Sequence, residues 1–233
     1  MKESASSFFC LFILLVTFLV KMEDNCKMKI PLRYQTTEFD CGPTSLLNGI
    51  SYLFEREEIP PEIVRNVMLF CLDQYDRDGT PGKKGTSHAA MMFLSHWLDG
   101  FGGTGKLPLK SIYLTGGDVT LEPGSRLRSS ISRGCVAVAR IDLDGWHYVL
   151  LTGVEKDRVY VFDPYWLPEP FPVPDVTCVQ DQIFAYNRIV PLARFEQSEI
   201  CPYAFGPYEQ REAVLLFNKK TVIPEDLAVE YII

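Results

Sequence analysis

The sequence is sparing with several residue patterns, and each scarcity removes a class of function. None of its seven cysteines are spaced as C-x-x-C, and no Cys/His pair falls at zinc-finger spacing, which speaks against structural zinc. An odd count of cysteines also argues against a complete disulfide framework. No basic run occurs, and 23 Lys and Arg stand against 30 Asp and Glu, a formal charge of −7; nothing recommends a nucleic-acid partner. No Walker motif is present. Gly102-Gly103-Thr104-Gly105-Lys106 is too short an echo to cradle phosphate and reads as a turn. No apolar run reaches the roughly 18–20 residues that span a bilayer. The longest, Phe8 to Val20, covers 13 residues.

That run makes residues 1–27 a hydrophobic N-terminal extension. Its length and Lys2 suit a signal-peptide core, yet Lys21-Met22-Glu23-Asp24 follows with no small-residue cleavage site. Met28-Lys29-Ile30-Pro31 reads as the more natural start. The expected location is therefore cytoplasmic if translation begins at Met28, and membrane-anchored or exported otherwise. Any membrane association would run through residues 8–20 alone. Residues 28–233 form the second unit, one domain with 47% hydrophobic and 12% aromatic residues across the whole chain, enough to build a core.

Apolar periodicity predicts helices over Pro43–Phe54, Glu62 to about Tyr75, and from a Thr86 or Ser87 cap to Leu98, broken by Gly100 to Gly105. A short strand over Ser111–Thr115 and a helix over Ser125–Ser132 follow. Cys135–Ile141, Trp146–Val154, Arg158–Asp163 and Ala213–Phe217 read as strands. Leu167 to Pro174 is Pro-rich and irregular. Helices first and strands later indicate an α+β domain with an antiparallel sheet. Cys71 and Cys135 read as small buried hydrophobes.

Against this background Cys41 stands out. The run Gln35-Thr36-Thr37-Glu38-Phe39-Asp40-Cys41-Gly42-Pro43 puts a thiol just before a Gly-Pro turn and a helix, and Pro suits a helix's first turn. The positive end of a helix dipole favours a thiolate. With only three histidines, the search for a base is short. His88 and His96 share a helix without carboxylate partners and read as structural or surface residues. His147 opens a strand, and Asp163 ends the next. If Glu155, Lys156 and Asp157 form the hairpin loop, Val154 pairs with Arg158, Val149 lies opposite Asp163, and His147 is its diagonal neighbour, ~7–8 Å away at the backbone. Val149, Leu151, Val159 and Val161 fill the rest of that face. A His and an Asp on an apolar face call for a reason.

A Cys-His-Asp set follows: Cys41 as nucleophile, His147 as proton carrier, Asp163 as the group that orients the ring. Gln35, six residues before Cys41, offers an amide for the oxyanion of a tetrahedral intermediate, beside the Cys41 N–H. No metal and no cofactor is called for.

The segments Gln35 to Ser45 (QTTEFDCGPTS), Gly145 to Gly153 (GWHYVLLTG) and Val159 to Pro164 (VYVFDP) together resemble the bacteriocin-processing cysteine peptidases, which cut double-glycine leader peptides within the papain-like superfamily. The resemblance runs from about Leu32 to Tyr165. It implies a papain-like α+β fold, a peptide or protein substrate, and the same roles for Cys41, His147, Asp163 and Gln35. No transporter domains follow, so a standalone peptidase-like member is implied and the double-glycine substrate does not carry over. The leading expectation is a cysteine peptidase-like hydrolase that works through a thioester. An acyltransferase of the same chemistry and a non-catalytic peptide-binding module are the alternatives. Asp78 to Ser87 is either a specificity loop or a plain connector. Tyr165-Trp166 either walls the cleft or belongs to the core.

Overall fold

A computed structural model describes residues 28–166 and 173–222. The apolar run at 8–20 and most of the Pro-rich stretch lie outside the described residues. Three helices come first: α1 (Cys41–Leu53), α2 (Pro61–Cys71) and α3 (His88–Gly103). Then come β1 (Leu109–Thr115), α4 (Arg126–Ser132), β2 (Val136–Asp142), β3 (Trp146–Glu155), β4 (Arg158–Phe162), β5 (Thr177–Cys178), β6 (Arg188–Pro191), α5 (Leu192–Phe195) and β7 (Glu212–Asn218). The seven strands form one sheet in the order β1-β7-β2-β3-β4-β6-β5, and every pairing is antiparallel. The fold is α+β, with the N-terminal helices packed on an antiparallel sheet. Among the described residues no helix is long and apolar enough to cross a membrane.

Both faces of the sheet are buried, so its central strands are apolar at nearly every position rather than alternating. In β2, Val136 and Val138 face one side with Leu46 and Ile50 of α1, Val67 of α2 and Leu94 of α3. Ala137, Ala139 and Ile141 face the other side, with Leu127 and Ile131 of α4, Phe195, Tyr203 and Phe205. Cys71 and Cys135 are both fully buried within these layers.

Three differences from the sequence reading have physical causes. α3 does not stop at Leu98. It runs through Gly100 to Gly103, and Gly102 lets it lie against β1: a Cβ there would sit 1.8 Å from the Leu109 carbonyl oxygen. β6 and β5 were not anticipated, being four and two residues long, too short to display a period.

The third difference is the β3–β4 hairpin. The turn holds two residues, not three: Glu155 pairs with Arg158 and Val154 with Val159. Lys156 takes a positive φ of 53° to make it. The odd residue reappears as a bulge between Leu151 and Gly153, beyond which Leu151 pairs with Val161 and Leu150 with Phe162. A bulge offsets the ladder by one. At the far end of the hairpin the offset restores the expected phase, which sets Val149 level with Asp163.

Candidate active site

The nucleophile candidate is fixed from three directions. Hydrophobic burial of Leu46 and Ile50 seats α1 on the sheet, and Ser45 Oγ donates to the Tyr148 carbonyl at 3.0 Å. That bond pins the first turn of α1 to β3 directly beside His147. The extended segment before α1 is held by Asn48, whose side chain accepts from Arg33 N and donates to Arg33 O, both at 2.8 Å. The same segment reaches the end of β4, where Gln35 N donates to Pro164 O at 2.8 Å.

Between them, residues 36–40 fold back on Asp40. Its carboxylate accepts from the backbone and hydroxyl groups of Thr36 and Thr37 at 2.8–3.1 Å. Burial alone would raise the Asp40 pKa, but these donors hold it below its ordinary value. Asp40 therefore turns its charge back along the chain and does not cap α1. The first N–H groups of α1 have no intrahelical acceptor.

Gly42 permits the next contact. A Cβ there would stand 2.3 Å from Thr86 Oγ1, so glycine lets Thr86 pack closely against the start of α1. Cys41 is 7% exposed. It lies on the wall of a cavity of about 360 Å³, with Thr86, Arg140 and Trp146 among the other lining residues.

His147 and Asp163 meet as the hairpin arithmetic expected. His147 Nε2 lies 2.8 Å from Asp163 Oδ1. That contact leaves Nδ1 as the ring's other polar atom. Burial by itself would lower the His147 pKa. The charge and hydrogen bond of Asp163, joined by a hydrogen bond and charge from Cys41, outweigh it and push the ring up to about 10. Asp163 is itself fully buried. Burial would raise its pKa, but His147, the Tyr165 N–H and the Tyr203 hydroxyl hold it below its ordinary value. The structure thus brings Cys41, His147 and Asp163 together.

Two partners of Asp163 had no signal in the sequence. Tyr203 donates its hydroxyl to Oδ2 at 2.9 Å, and Asn187 brackets the Asp163 backbone with two 2.8 Å hydrogen bonds. Both lie far along the chain, and neither sits in a recognisable motif. Tyr203 holds a positive φ of 69°, a conformation that is costly for a bulky residue. With its hydroxyl and the Tyr165 N–H both engaged, the carboxylate has a full set of donors.

Gln35 is placed near the site, but its amide is differently engaged from what was expected. Its Nε2 donates to the Thr37 carbonyl at 2.8 Å, and its buried Oε1 has no partner. Tyr165 stands edge-on to His147, ring centres 6.2 Å apart, and so shields the imidazole. Trp166 is 63% exposed and is not part of the core. His88 carries Nδ1 2.9 Å from Glu212, and His96 is exposed. Among the described residues no group of three His, Cys, Asp or Glu is arranged to hold a metal ion.

No protein-family model matches the chain, and no curated protein matches it. Among solved structures, it is similar to a double glycine motif protease from an AMS/PCAT transporter, solved in complex with the leader peptide. That match covers 82% of this chain and 94% of the other, with 14% identity and a TM-score of 0.38. Likeness at this level assigns the chain neither a family nor a substrate.

Proposed function

We propose that the protein is a cysteine hydrolase of papain-like design that cleaves a peptide or amide bond. The observation that carries this reading is the 2.8 Å contact between His147 Nε2 and Asp163, on a ring whose proton Cys41 also helps to hold. A thiol at a helix N-terminus, a ring protonated at neutral pH and a buried carboxylate that orients the ring are the parts of an activated sulfur nucleophile.

In this reading the Cys41 sulfur attacks the substrate carbonyl carbon and the carbonyl π electrons move to oxygen. The Cys41 N–H, at the open end of α1, donates to that oxyanion. Collapse of the intermediate breaks the C–N bond, and the His147 imidazolium gives its proton to the departing amine. A thioester remains. The now neutral ring takes a proton from water, hydroxide adds to the thioester, and the acid leaves as the thiolate re-forms. Gln35 carries two hydrogens on Nε2. One is committed to Thr37, and the other is available to the oxyanion.

Alkylation by iodoacetamide at pH 6, followed site by site with mass spectrometry, tests the reading. Cys41 is expected to react faster than Cys71, Cys135, Cys178 or Cys201, and His147→Ala is expected to slow it. Equal rates at all five thiols would remove the basis for an enzyme.

A further inference from the structure

Resting on the hydrolase reading, we infer that the cleft beside Cys41 is a specificity pocket for an acidic side chain of a peptide substrate. Arg140 forms its back wall, and Lys83 and Lys84 its rim.

The chain as a whole is acidic, with 30 Asp and Glu against 23 Lys and Arg. The cleft inverts that sign. Its lining carries Lys83, Lys84 and Arg140 but only one carboxylate, the exposed Glu38. Its volume of about 360 Å³ is that of a small ligand site, enough for one side chain and its flanking backbone. Two helix N-termini border it, since Cys41 opens α1 and His88 opens α3. Asp73 takes the Ser87 N–H and hydroxyl at the second of these, but does not line the cleft.

Arg140 is a built feature of this wall. It is only 7% exposed, and its guanidinium lies 4.1 Å from the centre of the Trp146 ring. One terminal nitrogen donates to the Gln210 carbonyl. Its Nε stands 3.5 Å from Glu212 yet completes no hydrogen bond. Glu212 is fully buried and is shared: Tyr113, Tyr148 and His88 all engage the same carboxylate. Glu212 balances the Arg140 charge, but its oxygens are also taken up by two phenols and a ring, and it forms no bidentate pair with the guanidinium. Lys83 and Lys84 can meet an incoming carboxylate directly, with the Arg140 charge behind them, and low-dielectric walls concentrate that field in the cleft.

The test uses peptidyl chloromethyl ketones that differ only in the residue beside the electrophile: Glu, Gln or Lys. The Cys41 sulfur displaces chloride from the methylene carbon to form a thioether, so the rate reports occupancy of the cleft. With the whole chain, the Glu probe is expected to label Cys41 about tenfold faster than the Lys probe, as one well-placed charge contact would give, with Gln between. The ratio is expected to fall toward one in 0.5 M salt, roughly where screening removes exposed charge effects, and in the double variant Lys83→Glu, Lys84→Glu. Equal rates for Glu and Lys, while iodoacetamide still singles out Cys41, would overturn the acidic preference alone. If iodoacetamide fails to single out Cys41, the hydrolase reading falls and the pocket assignment falls with it.

Discussion

At the scale of single residues, the His147–Asp163 pair dictates a pH dependence. The ring is lifted from 6.5 to about 10. A raised folded-state pKa contributes stability that is complete below the unfolded value and is lost as pH climbs to the folded one. Asp163 is lowered from 3.8, so its contribution is present above that value and is lost as acid protonates it. Unfolding in denaturant across pH 6.5 to 10 should therefore show wild type losing its advantage over His147→Gln. A constant gap would contradict the pairing. Gln35 makes a different prediction. If its second hydrogen meets the oxyanion, Gln35→Ala should lower peptide turnover by about 10²–10³, the usual cost of one such donor. Alkylation by iodoacetamide develops no oxyanion and should fall far less. Equal losses in both assays would make Gln35 structural. The meeting of His147 and Asp163, and the choice of Cys41 as their candidate partner, were legible in the sequence because each residue lies in a local pattern: a strand start, a strand end, a turn before a helix. Tyr203 and Asn187 were not, since what places them is the return of a distant loop beneath Asp163.

At the scale of elements, glycine at two helix surfaces sets how closely layers approach. Gly49 lies over the sheet, where a Cβ would stand 2.8 Å from Leu216 Cδ1, a side-chain tip that can yield. Gly102 faces backbone, and a Cβ there meets the Leu109 carbonyl. Gly102→Ala must therefore push α3 away from β1, overpacking that typically costs about 1–3 kcal/mol or more. For a chain of this size a loss near 2 kcal/mol lowers Tm by roughly 4–8 °C, which calorimetry would register; an unchanged Tm would refute the close packing. Gly102 also explains why the end of α3 was misread. In isolation Gly100 to Gly105 looks like a breaker, whereas tertiary contact makes a small residue an advantage at Gly102. The hairpin carries a similar lesson. Length and alternation gave the correct phase at the His147–Asp163 end, but only the bulge between Leu151 and Gly153 reconciles that phase with a two-residue turn.

At the scale of the whole molecule, the class of fold was legible because helical periods precede strand periods, and because the sheet's central strands are apolar on both faces. The strands at one edge were not, since β5 and β6 are short and β6 ends in proline. Nor was the Arg140–Glu212 cluster visible, because it joins β2 to a strand more than 70 residues later. The candidate site itself spans the two layers of the chain. Cys41 belongs to the helical layer, while His147 and Asp163 belong to the sheet.

The Gln35–Pro164 backbone hydrogen bond closes a loop around that seam. Peeling the helical layer from the His147–Asp163 end of the sheet would sever this one amide from its acceptor before either layer need unfold. The Gln35 amide proton therefore acts as a reporter: its exchange with deuterium should slow when a covalent inhibitor bridges the cleft, and should track the breathing of the seam rather than global unfolding.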